Sequence, residues 1–529
     1  MIMTKIKHSI ISTLAGLVLL AAACAPRPDF DTIITNGFVF DGAGNPWVYT
    51  DIGIKDDKIA AMGNLKDASA ERTIDASGYY VTPGFIDSHS HAERGLTSSD
   101  LSHARPQLAQ GITSIVVNQC GGGAIDLEKQ REELLEDGTG VNVAQLVPHG
   151  NVRKEVMGED DREAEPEEME EMKSMIREAM EYGAFGMSTG LFYIPGYFTP
   201  TSELIELSEV VAKYGGVHQS HIRDEADGTV GFINSVEEII EISKESGVTG
   251  IITHIKAGSP PTWGDSEEIV ARIAEVRDEG VEIFTDQYPY EALSTGIIAQ
   301  LVPTWAREGG NEKLRERLED PELLEPITAE TRENLEREGG PDKVQFRRFS
   351  QDTTIEGKRL DEVARERNMD PTDLIIDLIQ EGSPSIVLFS IGEDDIERFM
   401  TQKWNMTGSD GGLVEMDEGV PHPRNYGTFP RKIRKYVFEE NLLELEDAIR
   451  SMTSLTSSVF GINDRGTLRT GMKADIVIFD PEKITDKATY AEPHQLSEGM
   501  VYVFVNGTPA IEEGEFTGEL PGRVLQRGK

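Results

Sequence analysis

The chain has 529 residues, with 94 Asp or Glu against 51 Lys or Arg and a formal net charge of −43. Both signs are mixed along the sequence and no basic stripe or tail stands out, so the composition argues against a nucleic-acid partner and is read as a strongly solvated surface. The length suits one large domain plus a small one, since a barrel with insertions takes about 250 to 400 residues.

Residues 1–23 read as an export signal: Lys5 and Lys7 lead an apolar run from Ile10 to Leu20, which closes on Ala21-Ala22-Ala23 before Cys24. The run is short of the ~20 residues of a spanning helix. Small residues directly before Cys24 resemble the bacterial lipoprotein signal, in which the thiol is lipidated and becomes the new N-terminus. That implies an exported protein anchored to a bacterial membrane, facing the periplasm or exterior; soluble export with an ordinary cysteine stays open. Cys24 and Cys120 are the two cysteines. One lies at the start of the mature chain and the other at the end of a core strand, so they are not expected to form a disulfide. An unpaired strand-end cysteine in an exported chain suggests a thiolate on a metal.

Asp29 to Gly42 alternates and turns at Asn36-Gly37, and Asp51 to Ile59 follows as a second set of hairpin strands. A matching set lies in Ala474–Asp480 and Val501–Gly507. Residues 24–80 and 464–529 are therefore expected to form one small β-sandwich domain, with 81–463 extruded between them.

Tyr80 to His91 reads as a buried strand ending in His89-Ser90-His91, and period-two alternation turns both imidazoles to one side. Later strands end in the same way: Thr113 to Cys120 in a thiol before three glycines, Gly216 to His221 and Gly250 to His254 in imidazoles, and Asn405 to Asp410 in a carboxylate. Eight runs, near 81–91, 111–120, 141–150, 183–190, 215–222, 250–256, 281–289 and 405–412, alternate with helical sequence or loops. This pattern predicts an α/β fold, a (β/α)8 TIM-like barrel whose functional groups gather at the C-terminal strand ends. His89, His91, Cys120, His221, His254 and Asp410 are the candidate metal ligands. Pro166 to Met180 places Met169, Met172 and Ile176 on one face, a core-facing stripe. A charged helical insertion is expected near 306–400, between strands seven and eight, where it could cover the barrel mouth. His103, His149, His218 and His494 are read as structural or surface groups, and Arg223, next to Asp224-Glu225, as an ordinary salt-bridging residue.

These strand ends, with Gly190-Leu191-Phe192-Tyr193, His221-Ile222-Arg223-Asp224-Glu225, Asp286-Gln287-Tyr288-Pro289-Tyr290, His422 to Thr428, Asp464-Arg465-Gly466 and Gly471 to Asp475, resemble the amidohydrolase superfamily. Within it the chain is similar to the N-acyl-D-amino-acid deacylases (D-aminoacylases), from about Asp29 to Gly528. The resemblance implies a Zn²⁺-dependent hydrolase that cleaves the amide bond of an N-acyl-D-amino acid to a carboxylate and a free D-amino acid, with Asp410 as acid/base. Many superfamily members bridge two metals with a carboxylated lysine of strand four. Gly183 to Leu191 holds no lysine, and in the D-aminoacylases the cysteine takes that role. Cys120, His221 and His254 would then form a tight zinc site, and His89, His91 and Asp410 a second, weaker one. Relatives commonly carry Asp soon after the His-x-His pair, where this chain reads Ala92-Glu93. Lys256 and Arg424, with Tyr193 and Tyr288, are the implied clamp for the substrate carboxylate. A metallo-dipeptidase or cyclic-amide hydrolase of the same superfamily would share the metal site, whereas a non-catalytic binding lipoprotein would have lost ligands that are present here.

Overall fold

The computed structural model describes residues 28–528; the export signal and Cys24 lie outside them. Among the described residues no helix is long and apolar enough to cross a membrane. The fold is mixed α/β. Eight parallel runs follow one another: β1 (Phe85–Asp87), β2 (Ile112–Val117), β3 (Asn142–Gln145, continued by Val147–Pro148), β4 (Gly186–Gly190), β5 (Val217–His221), β6 (Thr249–Ile252), β7 (Ile283–Gln287) and β8 (Asn405–Thr407). Each pairs with the next. Between the last and the first, the Thr407 carbonyl accepts from Ser88 N (3.4 Å) and Ser88 Oγ (3.1 Å), and Gly411-Gly412 pairs in parallel with Ser90-His91.

Seven of the runs, and Phe185 just before β4, send side chains into one apolar cluster that includes Ile86, Val116, Ala144, Leu146, Val217, Ile251 and Met406, with Phe284 packed against it. The outer faces of β4 to β7 pack on amphipathic helices. The expected stripe is there in Pro166–Tyr182, where Met172 and Ile176 are buried and Met169 packs against the same core. Glu165 and Glu168 close a capping box at its start, satisfying backbone N–H groups that would otherwise lack partners.

The run expected over 81–91 divides in two. Tyr80–Pro83 belongs to a seven-stranded sheet, flanked by Phe38–Val39 and Ile476–Phe479, and β1 starts only at Phe85. Gly84 makes the crossing: its N–H donates to the Asp475 carbonyl (2.8 Å), and a Cβ there would stand 2.2 Å from Thr113 Oγ1. The seven-stranded sheet takes strands from both ends of the sequence, and a four-stranded sheet takes Phe30–Thr35, Asp51–Lys55, Lys58–Gly63 and Ala70–Asp75. One core of Ile34, Ile52, Ile54, Ile59, Val81, Ile476, Ile478 and Phe504 lies between them. The last residues leave these sheets and lie along β3, where Val143 N donates to the Arg523 carbonyl and Leu525 N to the Val143 carbonyl.

The insertion between β7 and β8 differs from the helical one expected. Helices Gly310–Leu318, Pro321–Arg337, Leu360–Arg367 and Pro371–Glu381 surround an antiparallel sheet of Leu293–Gly296, Ser385–Leu388 and Val344–Arg348. This unit buries its own core, including Leu314, Ile327, Phe346, Leu374, Ile386 and Leu388. Its strands are short and its charged helices dominate the composition, so the sequence pattern favours helix.

The small sheets are tied to the barrel by a buried polar node. Asp475 accepts from the Arg465 guanidinium, from Asn142 Nδ2 (3.1 Å) on β3 and from Asn506 N (2.6 Å), and Asn506 Nδ2 donates to Asn142 Oδ1 (2.7 Å). Removing one partner of a buried ion pair strands the other, at a cost of about 3–5 kcal/mol. Asp475→Ala should therefore lower the unfolding free energy by about that amount in denaturant titration, and a loss below 1 kcal/mol would show that the node holds nothing.

Candidate metal centre and active site

The six sequence-predicted ligands come together at the C-terminal strand ends. Cys120 Sγ stands 3.5 Å from His89 Nε2, 3.9 Å from His91 Nε2, 3.8 Å from His221 Nδ1 and 3.7 Å from His254 Nε2. Asp410 Oδ1 lies 3.3 Å from His91 Nε2 and 3.5 Å from His89 Nε2. Donor atoms of Cys120, His221 and His254 lie within 4.8 Å of one another, as do those of His89, His91 and Cys120. A thiol and imidazoles gathered so closely, with the thiol pointing at four nitrogens, suit a tetrahedral zinc.

Three of these residues hold left-handed backbone, with φ of 54° at Cys120, 36° at His254 and 50° at Asp410. Such backbone costs a non-glycine residue about 1–3 kcal/mol and persists only where neighbours impose it. At Cys120 the neighbours are plain. Asn118, itself at φ 64°, donates to the Leu146 carbonyl (3.0 Å) and accepts from Gln130 Nε2 (2.8 Å). Ser188 Oγ of β4 donates to the Asn118 carbonyl (2.5 Å) and accepts from Gly121 N (3.1 Å). β4 ends on Gly190, where a Cβ would lie 2.1 Å from the Cys120 carbonyl oxygen. Lacking a side chain there, strand four leaves the space that the cysteine loop fills.

His89 and His254 each present Nε2 to the centre and have Nδ1 engaged outside it, which fixes ring orientation. His89 Nδ1 bonds Thr253 Oγ1, which donates in turn to Asp286 (2.8 and 2.9 Å). His254 N also donates to Asp286 Oδ1 (2.7 Å). Glu225 Oε1 lies 2.8 Å from His254 Nδ1 and 2.5 Å from Lys256 Nζ, and its Oε2 lies 3.8 Å from His221 Nε2. On the other side, Asp87 accepts from Ser409 N (2.7 Å) and His89 N (3.2 Å), linking β1 to the loop that carries Asp410.

Burial sets the protonation states. It drives His89, His221 and His254 down, His221 to about 3, so their rings are neutral and free to act as ligands. Burial opposes charge on His91 as well, but its bond to Asp410 carries it upward. Burial also pushes the Asp410 carboxyl up, but the Arg424 guanidinium at 2.7 Å and the surrounding imidazoles hold it well below the usual carboxylate range. Asp410 is ionised at neutral pH.

A cavity of about 1090 Å³ opens above these groups and is lined by Tyr193, Lys256, Tyr288 and Arg424 together with residues of the insertion. Tyr193 packs on the His221 ring at 4.8 Å and bonds Thr295 Oγ1 (3.2 Å). Tyr288 faces both cations, with Lys256 Nζ 5.8 Å and the Arg424 guanidinium 4.8 Å from its ring centre, while its buried hydroxyl has no hydrogen-bond partner among the described residues. Arg223 makes an ordinary salt bridge, with a partner from the next helix and not with its sequence neighbours. It bonds Glu238 (2.7 and 3.0 Å) and the carbonyls of Tyr197 and Thr199, because Glu225 is turned inward to the histidines. His149 pairs with buried Glu203 (3.2 Å), His218 with Thr189 Oγ1 (2.9 Å), and His494 with the Tyr426 hydroxyl (2.9 Å), all outside the metal cluster. Sequence reading passed over Glu225, Thr253, Asp286 and Asp87. Glu225 and Asp286 stand inside motifs that carry the family resemblance but had no role assigned, while Thr253 and Asp87 are polar residues close to a strand-end ligand, as residues of surface loops also are.

The family model described as "Amidohydrolase family" matches residues 72–511. The D-aminoacylase of Alcaligenes xylosoxydans xylosoxydans is 33% identical, over 94% of this chain and 98% of its own length. The crystal structure of N-acyl-D-glutamate deacylase from Bordetella bronchiseptica, complexed with zinc and a phosphonate mimic of the tetrahedral intermediate, is 32% identical with a TM-score of 0.80, covering 94% of this chain and 99% of that one. A D-aminoacylase structure concerned with a binuclear metal centre, one-metal activation and second-metal attenuation is 31% identical with a TM-score of 0.80, covering 94% and 100%.

Cys120→Ser should lose most of the tightly bound zinc, because a neutral hydroxyl is a far poorer ligand than a thiolate. Metal analysis of the purified variant checks this; full zinc retention would remove Cys120 from the site.

Proposed function

The chain belongs to the amidohydrolase family, and on that premise we propose that it is a zinc-dependent N-acyl-D-amino-acid deacylase, cleaving the amide bond of N-acyl-D-amino acids to a carboxylate and a free D-amino acid. The observation that carries this reading is the position of Cys120, within 4 Å of four imidazole nitrogens and against a strand four that has no lysine. Cys120, His221 and His254 would hold one Zn²⁺ tightly, and His89, His91 and Asp410 offer a second, weaker set. Bound zinc supplies a Lewis acid for the amide carbonyl and lowers the pKa of water to about 7.

The remaining steps fall to the protein. Asp410, ionised and 3.3–3.5 Å from the His91 and His89 rings, takes the proton of the attacking water and returns it to the leaving nitrogen. Arg424 beside it favours the ionised form that a base requires. The substrate's α-carboxylate is taken by Lys256, Arg424 and the unpartnered Tyr288 hydroxyl, with Tyr193 closing the side over His221. Lys256 and Arg424 already face Glu225 and Asp410, so the clamp is pre-ordered by the same carboxylates that orient the metal ligands. With carboxylate and carbonyl both held, only one enantiomer can place its side chain in the remaining space.

The architecture is read as a (β/α)8 ring over 81–463 with a small β-sandwich domain from 24–80 and 464–529. The bonds between Ser88 and Thr407 and the core shared by the two smaller sheets support it. Lipidation of Cys24 is proposed from the sequence pattern before it, and would hold the enzyme on a membrane facing the periplasm or exterior.

Asp410→Asn should keep the tight zinc while kcat on N-acetyl-D-amino acids falls roughly 10²–10⁴-fold, the usual worth of a positioned acid–base group. Assays over matched N-acetyl-D and N-acetyl-L substrates test the reading itself, and equal turnover of both series would leave only a general metal-dependent amidase. For the anchor, Cys24→Ser should move the protein from the membrane to the soluble fraction. Unchanged partition after fractionation would rule out the lipid.

A further inference from the structure

In a chain with 94 acidic and 51 basic residues, a cation held at a cavity wall without an acidic partner is anomalous. Of the cations lining the cavity, Lys256 pairs with Glu225, Arg424 with Asp410, Arg337 with Asp227 and Arg348 with Glu418. Arg94 is exposed and solvated. Arg307 has no carboxylate but is occupied otherwise: it donates to the Ala299 carbonyl (3.1 Å) and Thr304 Oγ1 (2.8 Å) and lies over Phe192. Arg347 is partly buried, and no ion pair or hydrogen bond of its side chain is found among the described residues. Its backbone, by contrast, is held. Arg347 lies within the insertion strand Val344–Arg348, and its carbonyl accepts from Val420 N (2.8 Å). Gly419, at φ 68°, approaches so closely that a Cβ there would lie 3.0 Å from the same oxygen. A fixed main chain thus carries a free guanidinium into the cavity.

An unpaired charge at a partly desolvated wall is costly unless a ligand supplies the counter-charge. Burial and the like charges of Arg424 and Arg348 lower its pKa to about 10, against the pull of Asp410 and Glu418, each of which already pairs with another arginine; Arg347 is cationic at neutral pH. The α-carboxylate clamp does not need it, since that role has Lys256, Arg424 and Tyr288. We propose that Arg347 receives a second carboxylate of the substrate, so that the preferred N-acyl-D-amino acids are dianionic. This rests on the deacylase reading and deepens it. A planar guanidinium suits bidentate capture of a carboxylate.

The second carboxylate can sit on the amino-acid side chain or on the acyl group, and two matched pairs separate these sources. The first is N-acetyl-D-glutamate against N-acetyl-D-glutamine; the second is N-succinyl-D-alanine against its neutral N-succinamoyl analogue. The zinc-loaded wild type should favour the charged member of one pair by roughly 30-fold or more in kcat/KM, as expected when one side of a charge pair is lost. The pair that shows the preference assigns the source. In Arg347→Met the charged-to-neutral ratio of that pair should fall to near one, and Arg347→Lys should recover part of it. No charged preference in either pair overturns the proposal, as does a preference that survives in Arg347→Met. So does an equal loss on both members, which would place Arg347 on the α-carboxylate. If the wild type hydrolyses none of the four, the deacylase reading falls, and this one with it. Hydrolysis without charge preference sinks only Arg347.

Discussion

The whole structure depends on one demand: a single sulfur must lie within about 4 Å of imidazoles from three different strand ends. No strand can meet it alone, because consecutive side chains on a strand point to opposite faces. The chain meets it by leaving regular geometry just past the strands, in left-handed backbone at Cys120, His254 and Asp410. The remainder of the site can be read as what holds those three residues in place. Ser188, Asn118 and Gln130 fix the cysteine loop, Asp286 fixes the backbone of His254, and Asp87 with Ser409 fixes the loop of Asp410. Gly190 is part of the same solution, since any side chain there would strike the Cys120 carbonyl.

Charge is arranged with equal economy. The surface carries the large acidic excess, whereas at the cavity carboxylates and cations are interleaved: Glu225 between Lys256 and two histidines, Asp410 between Arg424 and two histidines. Each carboxylate lies against two imidazole rings and pairs with a cation at the cavity wall. The histidine cluster and the cavity cations Lys256 and Arg424 are therefore one electrostatic unit, and a change in either reaches the other through a shared carboxylate.

How far the sequence revealed this depends on the reach of each signal. His89 and His91 share a strand end, Cys120 and His254 close β-branched runs, and His221 and Asp410 end shorter, more polar ones, so period and punctuation pointed to the six residues that the structure brings together. The eight parallel runs were legible for the same reason. The break at Gly84 was not, because a run shared by two sheets carries one continuous apolar pattern. The sheet inside the insertion was hidden by charged helices on both sides. Glu225 had no role assigned from the sequence, since nothing local shows that it turns to the histidines while Arg223 takes Glu238 from the next helix. Outer-shell groups act through contacts between distant segments, which a linear reading does not display.

The strand Tyr80–Pro83 is flanked on one side by Phe38–Val39 and on the other by Ile476–Phe479, with Val81 facing Ile478. The first strands made by the ribosome thus wait for partners synthesised roughly 400 residues later, which at about 5–20 residues per second is on the order of 20–80 s. Throughout that interval Ile52, Ile54 and Val81 have no completed core to enter, and the edge of Tyr80–Pro83 stands open to any other extended chain. A chain built in this order depends on being shielded during its own synthesis, and its yield will be set by the time it spends half made as much as by the stability of what it becomes.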